Sequence, residues 1–224
     1  MRLLDLFCGA GGAGAGYSRA GFDVVGVDLH PQPNYPHEFV QGDALQYLAK
    51  HGREYDAIHA SPPCQGYTAL KAVHGNVWPL LIDPARTMLE QIGRPYVIEN
   101  VQGAPLRRDL TLCGEMFGLS VLRHRYFELG GWAALPPAHV PHRGRVAGWR
   151  HGEYFDGPYF AVYGNGGGKG TVRQWQDAMG IDWTDDRREL AEAIPPAYTE
   201  FLGGLLMRHL TSAASVETPV RLSA

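Results

Sequence analysis

A chain of 224 residues with 45% apolar side chains can bury a core of its own, and a net charge of -3 excludes a uniformly basic nucleic-acid coat. No run approaches the roughly 18 apolar residues of a membrane span, and the chain opens directly on an apolar strand, so no signal peptide is expected. The three cysteines, Cys8, Cys64 and Cys113, form no CxxC pair and leave an odd count, which predicts a reducing cytoplasm and argues against a structural zinc site or any metal.

In chain order, Leu3 to Phe7 reads as a buried first strand, followed by a turn in which Gly9, Gly11 and Gly14 match G-x-G-x-x-G. Such glycines permit a tight turn and close backbone approach to a ligand, ahead of a helix amino-terminus. Gly21 closes that helix, and Phe22 to Val27 make a second strand ending in Asp28. A carboxylate about 20 residues past the glycines is where such folds grip a ribose. This pattern marks a nucleoside-containing cofactor without separating NAD from S-adenosylmethionine. Gln41-Gly42-Asp43 precedes a short helix carrying Leu45, Leu48 and Ala49 and ended by Gly52; Asp43 caps it, contacts an adenine amino group, or does both.

Tyr55 to Ala60 is a further strand, and Ser61-Pro62-Pro63-Cys64-Gln65 follows as a stiff turn, since two prolines fix φ and remove two donors. This puts the Cys64 thiol at the carboxyl edge of the sheet, where open α/β folds bind ligands. Taken alone, Cys64 reads equally as a small buried residue. Residues 66–82, with Tyr67, Lys71, His74 and Trp78, read as an irregular lid. Asp83-Pro84 opens a helix with Ala85, Met88, Leu89 and Ile92 on one face. Arg94 to Ile98 is a strand delivering Glu99 to the same edge as Cys64, and Tyr126 to Leu129 is another, preceded by Arg123-His124-Arg125. Alternation places Arg123 and Arg125 on one face.

Residues 130–172 lose the strand–helix rhythm apart from a strand expected at Tyr159 to Tyr163 and a flexible Gly164–Gly170 loop. Residues 120–175 hold seven basic side chains (Arg123, Arg125, Arg143, Arg145, Arg150, Lys169, Arg173) against three acidic ones (Glu128, Glu153, Asp156), with His124, His139, His142 and His151 among them. That surplus of four reads as a local phosphate footprint. Helices return from Arg173, and Ile194-Pro195-Pro196 leads into a last helix with Tyr198, Phe201, Leu202 and Leu205 inward; 211–224 read as a polar tail.

Asp5-Leu6-Phe7-Cys8-Gly9-Ala10-Gly11-Gly12, Pro62-Pro63-Cys64-Gln65, Glu99-Asn100-Val101 and Arg123-His124-Arg125 occur in that order, each at an expected strand end. Together they resemble the S-adenosylmethionine-dependent cytosine-5 DNA methyltransferase family. Asp177 to Trp183 and Ile194-Pro195-Pro196 are similar to its last two motifs. The resemblance implies a Rossmann-like class I methyltransferase, an α/β fold with a mostly parallel sheet and helices on both faces. It implies one catalytic domain, with core 1–129 plus 173–210 and a small loop-rich insert at 130–172. The family has a large target-recognition domain at that place, and this chain has about forty residues. Val121 and Ala191-Glu192 also depart from the family's Gln and Gly-Asn.

The chemistry implied is addition of the Cys64 thiolate to C6 of a cytosine flipped out of DNA, which needs a lowered thiol pKa and partial access. Glu99 would protonate or hydrogen-bond N3 with a raised pKa, Arg125 would hold O2, and Arg123 would support Cys64 or the lid. Phe7, Cys8, Gly9, Gly11 and Gly12, Asp28 with Leu29, Asp43 with Ala44, and Pro62 would hold S-adenosylmethionine. The expected setting is a monomer on DNA, without membrane or metal, in a bacterial cytoplasm or phage-infected host, as in restriction–modification. Rival readings are the same chemistry on tRNA or a free cytosine nucleotide, a catalytically inactive DNA-binding relative, and, from the glycines alone, an NAD-dependent dehydrogenase.

Overall fold

The computed structural model describes residues 1–67, 79–150, 153–163 and 170–216. Seven strands, β1 (Arg2–Leu6), β2 (Asp23–Asp28), β3 (Glu38–Gln41), β4 (Ala57–Ala60), β5 (Tyr96–Val101), β6 (Leu110–Leu112) and β7 (Arg125–Gly130), form one sheet ordered β3-β2-β1-β4-β5-β7-β6. The first five run parallel, and β7 runs antiparallel to both β5 and β6. The chain order reverses between β1 and β4, the place where such sheets open a crevice at their carboxyl ends.

Alternation along each central strand decides which helices cover which face. Leu3, Val24, Ala57 and Val97 meet Ala13 and Tyr17 of α1 (Gly12–Arg19) and Tyr198, Leu202 and Leu206 of the long last helix, α6 (Pro196–Val216). Their neighbours Leu4, Val25, Ile58 and Ile98 meet Ala44 and Leu48 of α2 (Ala44–His51) and Ile82 and Leu89 of α3 (Ile82–Ile92). Both faces of the parallel strands are thus buried, as the apolar runs require. A third cluster joins Val121 and Val162 to Trp175 and Met179 of α4 (Val172–Met179) and Leu190 of α5 (Arg187–Glu192), so the insert packs against the late helices.

Helix ends follow local chemistry. Thr171 and Gln174 form a reciprocal capping box on α4, and Asp186 accepts from two amides at the start of α5. Gly93 ends α3 in the left-handed region. Helix α1 lies so close to α6 that a Cβ on Gly16 would stand 2.1 Å from Pro196 O and from Thr199 Oγ1.

Several expectations need correction. The last helix runs on to Val216, so the polar tail does not begin at 211; residues 217–224 lie outside the described ones. Strands β3 and β6 were not expected, being too short to show alternation. The expected strand at Tyr159 to Tyr163 is reduced to isolated bridges at Tyr159 and Phe160, and the insert's ladder is instead the hairpin of β8 (Gly148–Arg150) and β9 (Glu153–Phe155). Lys71, His74 and Trp78 of the expected lid, and residues 164–169 of the glycine loop, lie outside the described residues.

Candidate active site

Register across the three central strands sets the site. Leu6 lies opposite Ala60 and Ala60 opposite Ile98, so Phe7, Ser61 and Glu99, the last still within β5, stand at one level of the sheet. Ser61 N donates to Leu6 O at 3.1 Å, and Asn100 Nδ2 donates to Pro62 O at 2.7 Å. The Pro62-Pro63-Cys64 turn is therefore tied to β5 by a buried amide that sequence reasoning gave no role. Its signal was available: a polar side chain beside Glu99 at a strand end, facing a turn with two missing donors.

Cys64 is half-buried beyond that turn, while Cys8 and Cys113 are buried. Burial pushes the Cys64 thiol above its ordinary pKa; the Arg125 charge opposes this, Glu99 adds to it, and Arg123 opposes it. The direction is opposite to the lowered thiol pKa expected from sequence. Desolvation outweighs two nearby guanidiniums.

Glu99 is 5% exposed, and its carboxyl is pushed up by burial, against Arg125, a hydrogen bond from Ser61, and Arg123. Arg125 Nε stands 3.0 Å from Glu99 Oε1, yet that oxygen receives no aligned hydrogen bond. The contact is one of charge rather than of a directed N–H. Behind it, Ser61 Oγ meets His59 Nε2 at 2.8 Å and His59 Nδ1 meets Tyr17 Oη at 3.1 Å. Burial alone drops the His59 pKa to about 3, so this ring is neutral and passes one hydrogen-bond direction from α1 to the carboxyl.

Arg123 bonds to the insert and to α5. Its guanidinium donates to Val162 O at 2.7 Å and to Ala191 O, and Tyr198 Oη donates to Arg123 O at 2.7 Å. It is a buried strut joining the insert to α5 and α6, its pKa drawn down to about 9 by burial and by Arg125. The basic footprint shrinks accordingly. Arg125 faces Glu99, Arg143 Nε pairs with Glu115 at 2.5 Å, and Arg173 pairs with Asp177 at 3.0 Å.

At the glycine turn, Phe7 takes φ of 58°, the one positive value outside glycine among the described residues, with Gly9 at 49° and Gly11 at 88°. Gly11 caps α1 without a side-chain acceptor of its own, and of the first-turn amides that of Gly14 bonds to the Asp5 carboxyl. A Cβ on Gly9 would meet nothing within 4 Å, whereas one on Gly11 would stand 2.6 Å from Pro36. Asp28 accepts from Gly9 N at 3.1 Å and from His30 N at 3.0 Å, which fixes it beside the turn with exposed Leu29 next to it. Asp43 spends Oδ1 on Gln46 N at 2.8 Å as the cap of α2, ahead of buried Ala44; Gly12, Cys8 and Pro62 are buried. Gly14 serves packing rather than ligand approach, since its Cβ would meet Tyr35 Oη at 2.6 Å. Trp183, within the expected late motif, donates from Nε1 to Ala10 O at 2.8 Å and so braces the turn.

No family model matches the chain. It is 33% identical over 118 residues to the type II methyltransferase M.XorII of Xanthomonas oryzae, a match covering 45% of this chain and 28% of that protein. It is 26% identical over 119 residues to M.FnuDI of Fusobacterium nucleatum, covering 49% and 35%. The matched segments thus span about a third of these relatives' length. Among solved structures, the Dnmt2 methyltransferase of S. pombe superposes with a TM-score of 0.65 at 17% identity, covering 94% of this chain and 99% of that one. The Entamoeba histolytica methyltransferase EhMeth gives 0.62 at 14%, covering 96% and 98%. The chain has a class I methyltransferase fold. The mostly parallel seven-stranded sheet with helices on both faces agrees with the Rossmann-like architecture expected from the sequence.

Proposed function

We propose that this chain is an S-adenosylmethionine-dependent methyltransferase acting on C5 of cytosine in DNA. The observation that carries the reading is the meeting of the Cys64 turn, the Glu99–Arg125 pair and the Phe7–Gly12 turn at one level of the sheet. The named type II methyltransferases among its relatives support a nucleic-acid substrate.

The glycine turn fits the cofactor: an open Gly9, an α1 amino-terminus without a side-chain cap, and Asp28 and Asp43 at the ends of β2 and β3. Phe7, Gly9, Gly11 and Asp28 would hold its amino-acid and ribose ends, Asp43 the adenine. When bound, S-adenosylmethionine supplies an electrophilic methyl group. The protein's own work is to make cytosine C5 nucleophilic. The Cys64 thiol gives up its proton to water as Sγ bonds to C6, the C5–C6 π pair moves to C5, and Glu99 supplies a hydrogen bond or proton at N3. Arg125, which stands against Glu99, would reach O2. With C5 methylated and S-adenosylhomocysteine as the other product, C5 would lose its proton to water, N3 would return any proton to Glu99, and the C5–C6 double bond would re-form as the Cys64 thiolate departs. Placing the base against Cys64 requires a flipped or unpaired nucleotide.

Transfer of label from S-adenosylmethionine to duplex DNA, tRNA and dCMP in parallel tests the substrate. Label in DNA, located at C5 and lost in Cys64→Ala, is the expected result. Label in tRNA or dCMP alone moves the chemistry to that substrate, and no label in any of them rejects the activity.

A further inference from the structure

Cys113, His124, His139 and His142 lie far apart in sequence, and nothing in their spacing joins them. In the folded chain one nitrogen or sulfur from each of the four falls within 4.8 Å of the others. Cys113 follows β6, His124 immediately precedes β7, and His139 and His142 come from the insert. His124 Nε2 and His139 Nε2 stand 3.0 Å apart, with rings stacked at 13°. The His142 ring lies nearly perpendicular to both, at 5.2 and 5.0 Å.

We propose that these four side chains bind one zinc ion as a closed structural site. A tetrahedral zinc with nitrogen bonds near 2.0–2.1 Å and a sulfur bond near 2.3 Å puts its ligand atoms roughly 3.3–3.6 Å apart. The four atoms lie within 4.8 Å of one another, so side-chain shifts alone can close the shell. Burial of the sulfur and the nitrogen-and-sulfur donor set favour zinc over magnesium or calcium, which take oxygen. A second observation points the same way. His142 Nδ1 stands 3.1 Å from Glu115 Oε2, so the ring donates there and keeps Nε2 as its lone-pair atom. A carboxylate behind a histidine is the usual outer partner of a metal-ligating ring. Arg143, next in the chain, holds the same carboxylate through its backbone N and its Nε. The proposal departs from the expectation, drawn from the odd cysteine count, of a chain without a metal. An isolated CxxC is not needed when β6, β7 and the insert each bring ligands.

The consequence lies beside the candidate active site, because His124 sits between Arg123 and Arg125. A metal at this place would fasten the insert to the start of β7 and hold Arg125 in register with Glu99.

Metal content of the untagged full-length protein, measured by mass spectrometry as purified, tests the site directly. About one zinc per chain is expected. Chelation should lower Tm, and added zinc should restore it. Cobalt exchanged for zinc should show tetrahedral d–d bands and a thiolate-to-cobalt charge-transfer band, the latter lost in Cys113→Ser. The variant His139→Ala/His142→Ala, altered at exposed positions, should keep the far-ultraviolet circular dichroism and lose the metal. Folded wild-type protein that takes up neither zinc nor cobalt overturns the proposal, as does zinc that persists at full occupancy in the double variant.

Discussion

Arg125 Nε lies 3.0 Å from Glu99 Oε1 across the antiparallel pair of β5 and β7. One guanidinium thereby influences both groups proposed to act on the base, since it also opposes the rise of the Cys64 thiol pKa.

Alkylation of Cys64 by iodoacetamide should therefore increase with pH into the alkaline range, because the raised thiol pKa leaves little thiolate near neutrality. Arg125→Ala removes the leading opposing charge and should shift the profile further alkaline. Mass spectrometry of the labelled peptide follows one site, as Cys8 and Cys113 are buried. An unchanged profile in the variant would show that Arg125 does not act on the thiol.

Glu99→Gln keeps the volume and a neutral donor but cannot deliver a proton. In the methyl-transfer assay, kcat should fall by about 10²-fold while KM changes little. Equal rates for the variant and wild type would remove Glu99 from the mechanism.

His59 couples folding to acid. Its pKa is about 3 in the folded chain against 6.5 for the free side chain, so the unfolded state binds its proton first as pH drops. The stability held above pH 6.5 is then lost progressively down to about 3. At pH 5 the loss amounts to about 2 kcal/mol. In His59→Gln this part of the acid sensitivity should vanish. Denaturant titrations at several pH values check it, and a parallel decline in both proteins would assign the sensitivity elsewhere.

The contact of α1 with α6 predicts a packing penalty. A Cβ at Gly16 would overlap Pro196 O and Thr199 Oγ1, and the helices must part to admit it. Gly16→Ala should cost about 2 kcal/mol and lower Tm by about 4–8 °C. Thermal unfolding that matches wild type would mean that α6 slides aside freely.

The strand–turn–helix rhythm, the glycine turn, the two prolines before Cys64 and the acid at Asp28 were legible because each is a local signal. An apolar run, a missing donor or a positive φ writes itself into neighbouring residues. Short β3 and β6 were not, since their pairing energy comes from strands distant in the chain. The continuation of α6 to Val216 likewise escaped a reading based on composition, because polar residues at a helix end resemble a tail.

Tertiary structure alone decided which charges are spent and which side chains meet. Arg123 and Arg125 look equivalent in sequence, yet one braces carbonyls of the insert and α5 while the other faces Glu99. The thiol pKa went up where sequence chemistry asked for down, because desolvation depends on every atom packed around Cys64. Three histidines counted as surface charge converge on a cysteine that follows β6. Local pattern fixes the backbone's periodicity; solvent exclusion and the company of groups far along the chain are properties of the closed fold.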